Sequence, residues 1–246
     1  LPLAQAYKSV FTGTDIEKVD VTHSKTHNAY VNLINKKSDL ILVTYPSEEE
    51  QQLAKDAGVE LEIVPVVKEA FVFFVNKENS VDNLTLNQIQ DIYSGKVTNW
   101  KEVGGTDAQI LAYQRPQNSG SQSGMLSLVM QGIKMKEPEK ETIAQSMVDI
   151  VDVVLDYQNK ENAIGYSYYY YITTMYSKDK IKLLSVNGIE PTYDNIKTGL
   201  YNIQTAYYAV IRKEEPENSD ARKLLNAMIS TYGQKVAKEA GYVQNY

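Results

Sequence analysis

Arg115 stands ahead of a run rich in hydroxyls and small side chains, "RPQNSGSQSG" (residues 115–124), which passes directly into the apolar segment "MLSLVMQGI". Three chemistries fit such a pattern: a nucleophile turn, a helix cap, or a seat for an anion. A strained serine turn would read G-x-S-x-G. Gly120 and Gly124 have that spacing, but Gln122 stands between them, and nothing in the sequence pairs either histidine, His23 or His27, with a serine. The nucleotide-binding pattern G-x-x-x-x-G-K-[ST] is absent as well.

The anion reading rests on helix starts. The first turn of a helix leaves backbone N–H groups without intrahelical partners, and the helix dipole places partial positive charge there. Gly120 would let a ligand approach the backbone, Ser119, Ser121 and Ser123 would offer hydroxyls, and Arg115 could grip two oxygens at once. Together these are the parts needed for oxyanion capture. A plainer alternative has Ser119 or Ser121 capping the helix and Arg115 as a surface charge. Spacing alone leaves both open.

Two further features favour the anion. "HSKTHNAY" offers Ser24 as a second N-cap, with Lys25, Thr26 and His27 in the first turn. Thr44 stands at the carboxyl end of the apolar run "DLILV". In open α/β sheets, ligands sit outside strand carboxyl ends and at helix N-termini. These ends, from two regions of the chain, predict one cleft between two lobes. His23 and His27 have the four-residue spacing of paired metal ligands, but no acidic third ligand is signalled beside them, so no metal is expected. No paired carboxylates stand out, and neither an enzyme nor a cofactor is expected. The tyrosines at 166 and 168–171 are read as a packing surface rather than an aromatic ligand wall.

The elements that must position these residues alternate between strand-like and helical runs, which predicts an α/β fold. A helix opens the chain, with Pro2 tolerated in its first turn. "KVDVTHS" reads as a strand, "KTHNAYVNLINKK" as a helix and "SDLILVTYP" as a buried strand. "SEEEQQLAKDAG" is a helix with Ser47 and Glu50 in capping-box spacing and Gly58 as its stop. "VELEIVPVVKEAFVFFVNKE" reads as two strands interrupted at Pro65. Thr85 and Gln88 open the next helix, and "QILAYQR" is a strand that delivers Arg115. "EKETIAQSMVDIVDVVLDYQNKEN" is mostly helical, and "AIGYSYYYYITTMY" is a strand turning into a tyrosine-rich helix or second strand. "AYYAVIRKE" is a strand, and the chain closes on a helix or helix pair. With no low-complexity linker between halves, an inserted domain fits better than two beads on a string.

Composition narrows the function classes. The chain has 246 residues, a net charge of −6 and no cysteine. That excludes disulfides, thiolate catalysis and cysteine-bound zinc, and it argues against broad nucleic-acid binding, which leaves a basic footprint.

Taken together, "AFVFFVNKENSVDNLTLNQIQDIYSGKVTNWKEVGG", then Arg115 with "NSGSQSG", then "AIGYSYYYY", and the closing "YAVIRKEEPENSDARKLLNAMIS" and "GQKVAKEAGYV" resemble the phosphate-binding proteins of bacterial ABC importers. The likeness covers nearly the whole chain. It implies a two-lobed, periplasmic-binding-protein-like fold with a ligand cleft between lobes and a hinge. Such a protein closes on inorganic phosphate and hands it to a membrane permease. Residues 1–68 and 206–246 would form one lobe and residues 69–205 the inserted one, with crossings near Pro65–Lys68 and Gln204–Tyr207. Arg115, Ser119, Gly120 and Ser121 match the family's main anion loop. Ser24, with Lys25 and Thr26, matches the loop that supplies a serine from the other lobe. Thr44 stands where many members carry an aspartate, which leaves the choice between phosphate and other oxyanions open. The resemblance also implies a monomer outside the cytoplasm, at the cell surface or in the periplasm. It further implies a strand and hydroxyl-bearing loop ahead of Leu1, with a lipid anchor on a cysteine upstream. The alternative keeps the fold but makes it a surface-exposed sensor or adhesion module that binds another oxyanion or no small ligand.

Overall fold

The computed structural model describes residues 2–117, 119–156, 161–175 and 180–246. In chain order the elements are α1 (Pro2–Phe11), α2 (Thr26–Ile34), β1 (Leu40–Val43), α3 (Glu48–Asp56), β2 (Leu61–Asn76), β3 (Asn83–Leu84), α4 (Leu86–Ser94) and β4 (Leu111–Ala112). Next come α5 (Gly120–Gly124), continued by a π-helical stretch (Met125–Met130), then α6 (Met147–Leu155), β5 (Ala163–Tyr168) and α7 (Tyr169–Met175). The remainder is β6 (Ile181–Leu183), β7 (Ser185–Val186), α8 (Tyr193–Thr198), β8 (Gln204–Arg212), α9 (Asp220–Ile229), α10 (Thr231–Glu239) and β9 (Val243–Gln244). The chain divides into two compact units. The first comprises Leu1–Glu69 and Thr205–Tyr246, and the second Ala70–Gln204.

In the first unit β1 runs antiparallel to β8, from Leu40 opposite Ile211 to Val43 opposite Tyr208. The apolar face of α2 (Ala29, Tyr30, Leu33) packs on Ile41, Val43 and Val210 of these strands. The Arg212 guanidinium donates to the carbonyls of Leu33 at 2.9 Å and Ser38 at 2.7 Å, which ties the turn between α2 and β1 to β8. Leu3, Tyr7 and Phe11 recur at helical spacing and form the buried face of α1. Ser47 and Glu50 form the expected capping box on α3, and Gly58 follows with φ of +67°.

The second unit is built on the apolar half of β2. Phe71–Val75 pair antiparallel with Tyr168–Ile164 of β5, and β4 lies parallel to β5 on the other side. Phe71, Val72, Phe73, Phe74 and Val75 are all fully buried, so both faces of the strand are covered and the sequence shows a continuous apolar run. Thr85 and Gln88 form the capping box of α4, which ends on Gly95 with φ of +82°.

Several expectations need correction. "KVDVTHS" is not a strand: residues 17–25 have no regular structure, and no strand among the described residues pairs with them. Alternation marks a face, but a strand exists only where a neighbour completes its hydrogen bonds. Pro65 does not divide β2, which continues through it for 16 residues. Proline's fixed φ is compatible with extended backbone, so it removes one donor without ending the strand. "QILAYQR" yields only two strand residues, because its partners change along its length. Ile110 N–H donates to Thr98 at 2.8 Å, Leu111 N–H to Asn162 at 2.9 Å, and Gln114 bridges to Ile143. The long segment 139–162 is helical over Met147–Leu155, with one 3-10 turn at Lys140–Thr142, while residues 157–160 lie outside the described residues. Among the described residues no helix is long and apolar enough to cross a membrane.

Candidate functional site

Arg115 emerges where the β4 run leaves the sheet, and α5 begins five residues later. Ser119 is the N-cap of α5: its backbone is extended, and its Oγ accepts the Gln122 N–H at 3.2 Å. That bond occupies an acceptor site and leaves the hydroxyl proton free to donate. Gly120 opens the helix, and a Cβ built there would meet nothing within 4 Å, so packing does not demand the glycine. What glycine gives at this position is bare, approachable backbone at the helix start. Gly124 is different. A Cβ there would lie 2.7 Å from the Tyr168 hydroxyl and 2.9 Å from Phe71 Cε2, so close packing fixes the residue. Asn118 lies outside the described residues.

Three polar side-chain atoms of this loop stand apart from its hydrogen bonds. Arg115 Nε, Arg115 Nη1 and Ser121 Oγ are buried and have no hydrogen-bond partner among the described residues. Buried polar groups are paired in the great majority of cases, and each exception calls for a reason. Arg222 Nε is also buried without a partner, but the other two guanidinium groups each meet a carboxylate, which Arg115 does not among the described residues. Arg212 is engaged by Asp39 and Glu215, and Arg222 by Glu62. Burial lowers the Arg115 guanidinium below its ordinary range, partly opposed by Tyr166, Asp149 and Tyr171, and the group remains a cation at neutral pH. A cation with two unpartnered N–H groups near a helix start, and a buried hydroxyl in the first turn, form a set of donors suited to an oxyanion.

The tyrosines have a mixed role. Tyr166 and Tyr168 join Phe71, Phe73 and Tyr93 in a chain of ring contacts with centroids 5.4 to 6.2 Å apart. That is the packing surface expected from the sequence. Yet the Tyr168 hydroxyl also donates to the Gly120 carbonyl at 3.2 Å, and Tyr166 contacts Arg115, so the same rings hold the loop. Nothing in residue spacing signals this second role.

In the first unit, the N-cap of α2 is Lys25, not Ser24 as expected. Lys25 is extended, with φ −68° and ψ 155°, its carbonyl accepts the Ala29 N–H at 3.0 Å, and no side chain caps the helix. The first helical residue is Thr26, and Ser24, Lys25 and Thr26 are all solvent-exposed. Thr44 follows β1 directly, half-buried, and its carbonyl accepts the Tyr30 hydroxyl at 2.9 Å.

His27 meets acidic partners that lie distant in sequence. Its Nδ1 stands 3.0 Å from Glu50 Oε1 and 3.9 Å from Glu49 Oε1, so His27, Glu49 and Glu50 bring three potential ligand atoms together, and His23 is not a member of that group. Burial raises the Glu50 carboxyl, but hydrogen bonds from Ser47 and His27 outweigh it and hold the group below its usual range. Since Glu50 already completes the α3 capping box, its pairing with His27 is accounted for as part of that helix start.

Residues 1–233 match the family model described as PBP superfamily domain. The chain is 28% identical over 170 residues to the phosphate-binding protein PstS of Bacillus subtilis, covering 69% of this chain and 53% of that protein. It is 27% identical over 230 residues to PstS of Staphylococcus saprophyticus, covering 89% of this chain and 69% of that one. The chain thus spans little more than half the length of the Bacillus relative. Among solved structures, it is similar to a phosphate ABC transporter substrate-binding protein with bound phosphate from Clostridium perfringens. That match has a TM-score of 0.75 at 27% identity and covers 99% of this chain and 94% of that one.

Proposed function

The chain belongs to the PBP superfamily domain family, and we propose that it is a solute-binding protein rather than an enzyme, capturing inorganic phosphate and delivering it to an ABC importer. The observation that carries this reading is a trio of buried donors with no partner among the described residues, Arg115 Nε, Arg115 Nη1 and Ser121 Oγ, beside the start of α5. Arg115 supplies charge in a fork that matches two oxygens, Ser119 and Ser121 supply hydroxyl protons, and the N–H groups of the first turn add the helix dipole. The phosphate-binding relatives and the phosphate-bound structure support phosphate as the ligand.

Ser24, Lys25, Thr26 and Thr44 are also proposed as oxyanion-contacting residues. Thr44 can donate or accept a hydrogen bond, so it adds no charge that would reject a fully deprotonated anion. A location outside the cytoplasm, with a membrane permease as partner, follows from the same reading. Isothermal titration with phosphate, arsenate and sulfate tests it. Phosphate should bind with measurable heat, and Arg115→Ala should abolish that heat. A folded protein that binds none of these anions contradicts the proposal.

A further inference from the structure

Resting on the oxyanion reading, we infer that Gln122 and Tyr166 are positioning residues of the anion seat, acting through the backbone of Arg115. The Arg115 N–H donates to the Tyr166 hydroxyl at 2.9 Å and to Gln122 Oε1 at 3.2 Å. The Tyr166 hydroxyl in turn donates to the same Gln122 oxygen. Three groups therefore close one ring, with both acceptors buried: Gln122 is 4% exposed and Tyr166 is 0% exposed.

The ring joins the two halves of the seat. The Gln122 backbone N–H is held by Ser119 Oγ, while its side chain holds the backbone of Arg115. Gln122 thus fixes the distance between the cation and the helix start from the middle of the loop. It is the residue that disqualifies the serine-nucleophile pattern, and the structure assigns it this other task. Tyr166 is anchored below by ring contacts to Phe71 and Tyr93, each with centroids 5.5 Å apart. The orientation of Arg115 is thereby tied to fully buried rings of the second unit. Burial raises the Tyr166 hydroxyl well above neutral pH, so it keeps the proton it donates. Preorganisation of this kind lowers the ordering cost that an anion would otherwise meet on binding.

The geometry makes an unusual demand on the variants. Tyr166→Phe leaves Gln122 to accept the Arg115 N–H, and Gln122→Met leaves Tyr166. Each should weaken phosphate binding about fivefold to tenfold, the effect of one lost hydrogen bond. The double variant leaves the N–H buried without an acceptor and should lose more than the product of the two single losses.

The test combines phosphate titration of the full chain with the arginine side-chain region of a proton–nitrogen NMR spectrum. The chain has three arginines, Arg115, Arg212 and Arg222, so the three Nε–H signals can be assigned by substitution. Tyr166→Phe should move the Arg115 Nε–H signal in ligand-free protein and leave the other two in place. Melting temperature falling while phosphate affinity and the Arg115 signal stay as in wild type would reduce both residues to structural roles and overturn the inference. If Gln122→Met does not fold, Tyr166→Phe, which deletes one oxygen, carries the test alone. A wild-type protein that binds no oxyanion contradicts the functional reading instead, while the ligand-free signal still tests the ring.

Discussion

Replacing Arg115 with methionine should make the ligand-free protein more stable while destroying its response to phosphate. The guanidinium keeps Nε and Nη1 buried with no acceptor among the described residues. A buried unsatisfied group costs about 1–3 kcal/mol, and a side chain that is only half-buried recovers part of that from water, so ~1 kcal/mol is the working figure. For a chain of this size that corresponds to a rise of about 2–4 °C in Tm. Methionine fills a similar volume with flexible apolar atoms and needs no partner. Binding moves the other way. Two charge-assisted hydrogen bonds at about 1.5–3 kcal/mol each give ~3–6 kcal/mol, or about two to four orders of magnitude in Kd. Phosphate at a hundred times the wild-type Kd should raise wild-type stability by about 2.7 kcal/mol and that of the variant by no more than about 0.4 kcal/mol. Scanning calorimetry with and without phosphate should therefore show the two proteins exchanging rank: the variant melts higher without ligand and lower with it. A variant that melts below wild type without ligand, or that phosphate stabilises equally, would refute the argument that Arg115 is held in an unsatisfied state for the anion.

Three further outcomes follow from close contacts and from one carboxylate. Gly124→Ala places a Cβ 2.7 Å from the Tyr168 hydroxyl and 2.9 Å from Phe71 Cε2. Overpacking of about 1–3 kcal/mol, less ~1 kcal/mol of helix propensity, leaves a net loss of up to about 2 kcal/mol, read by chemical denaturation. Gly233→Ala is harsher, since its Cβ would fall 2.0 Å from the Ala227 carbonyl and 2.6 Å from that of Met228, both backbone atoms. A loss above ~3 kcal/mol is expected, visible as a sharply lowered melting temperature or failure to fold. The Glu50 carboxyl titrates below its ordinary 4.5 in the folded protein. Its contribution to stability is therefore complete above pH 4.5 and is lost as pH falls through the folded value. Glu50→Gln should flatten the acid limb of stability measured by urea titration, and an unchanged limb would contradict the assignment.

Much of the fold was legible because local rules decided it. Ser47 with Glu50 and Thr85 with Gln88 satisfy their helix starts by side-chain bonds that span three residues, and spacing alone reveals them. The run Phe71–Val75 is legible for a similar reason, since burial on both faces leaves an unbroken apolar stretch. Where pairing between distant segments decides the outcome, the sequence misleads. Val19 and Val21 alternate as strand residues do but find no partner, while Pro65 looks like a break in a strand that its neighbours carry through. The anion loop falls between these cases. Ser119 as cap and Gly120 as open backbone follow from local spacing. The contribution of Tyr166 lies 51 positions from Arg115 and has no sequence signature, because it depends on β5 pairing with β2. His27 and Glu50, 23 positions apart, were missed for the same reason.

The second unit thus sets two opposite kinds of chemistry within a few ångströms of each other. The rings of Phe71, Phe73, Tyr93, Tyr166 and Tyr168 pack as an ordinary apolar core, while the loop beside them holds guanidinium N–H groups and a hydroxyl without partners among the described residues. Unsatisfied donors are costly to bury, so they persist only where the surrounding packing is strong enough to hold them. Tyr166 and Tyr168 link the two by contributing rings to the core and hydroxyls to the loop. A core of aliphatic residues could supply comparable burial, but it would have no polar handle with which to orient the Arg115 backbone. Tyrosine's half-apolar, half-polar character explains why this residue type, rather than phenylalanine, occupies both positions.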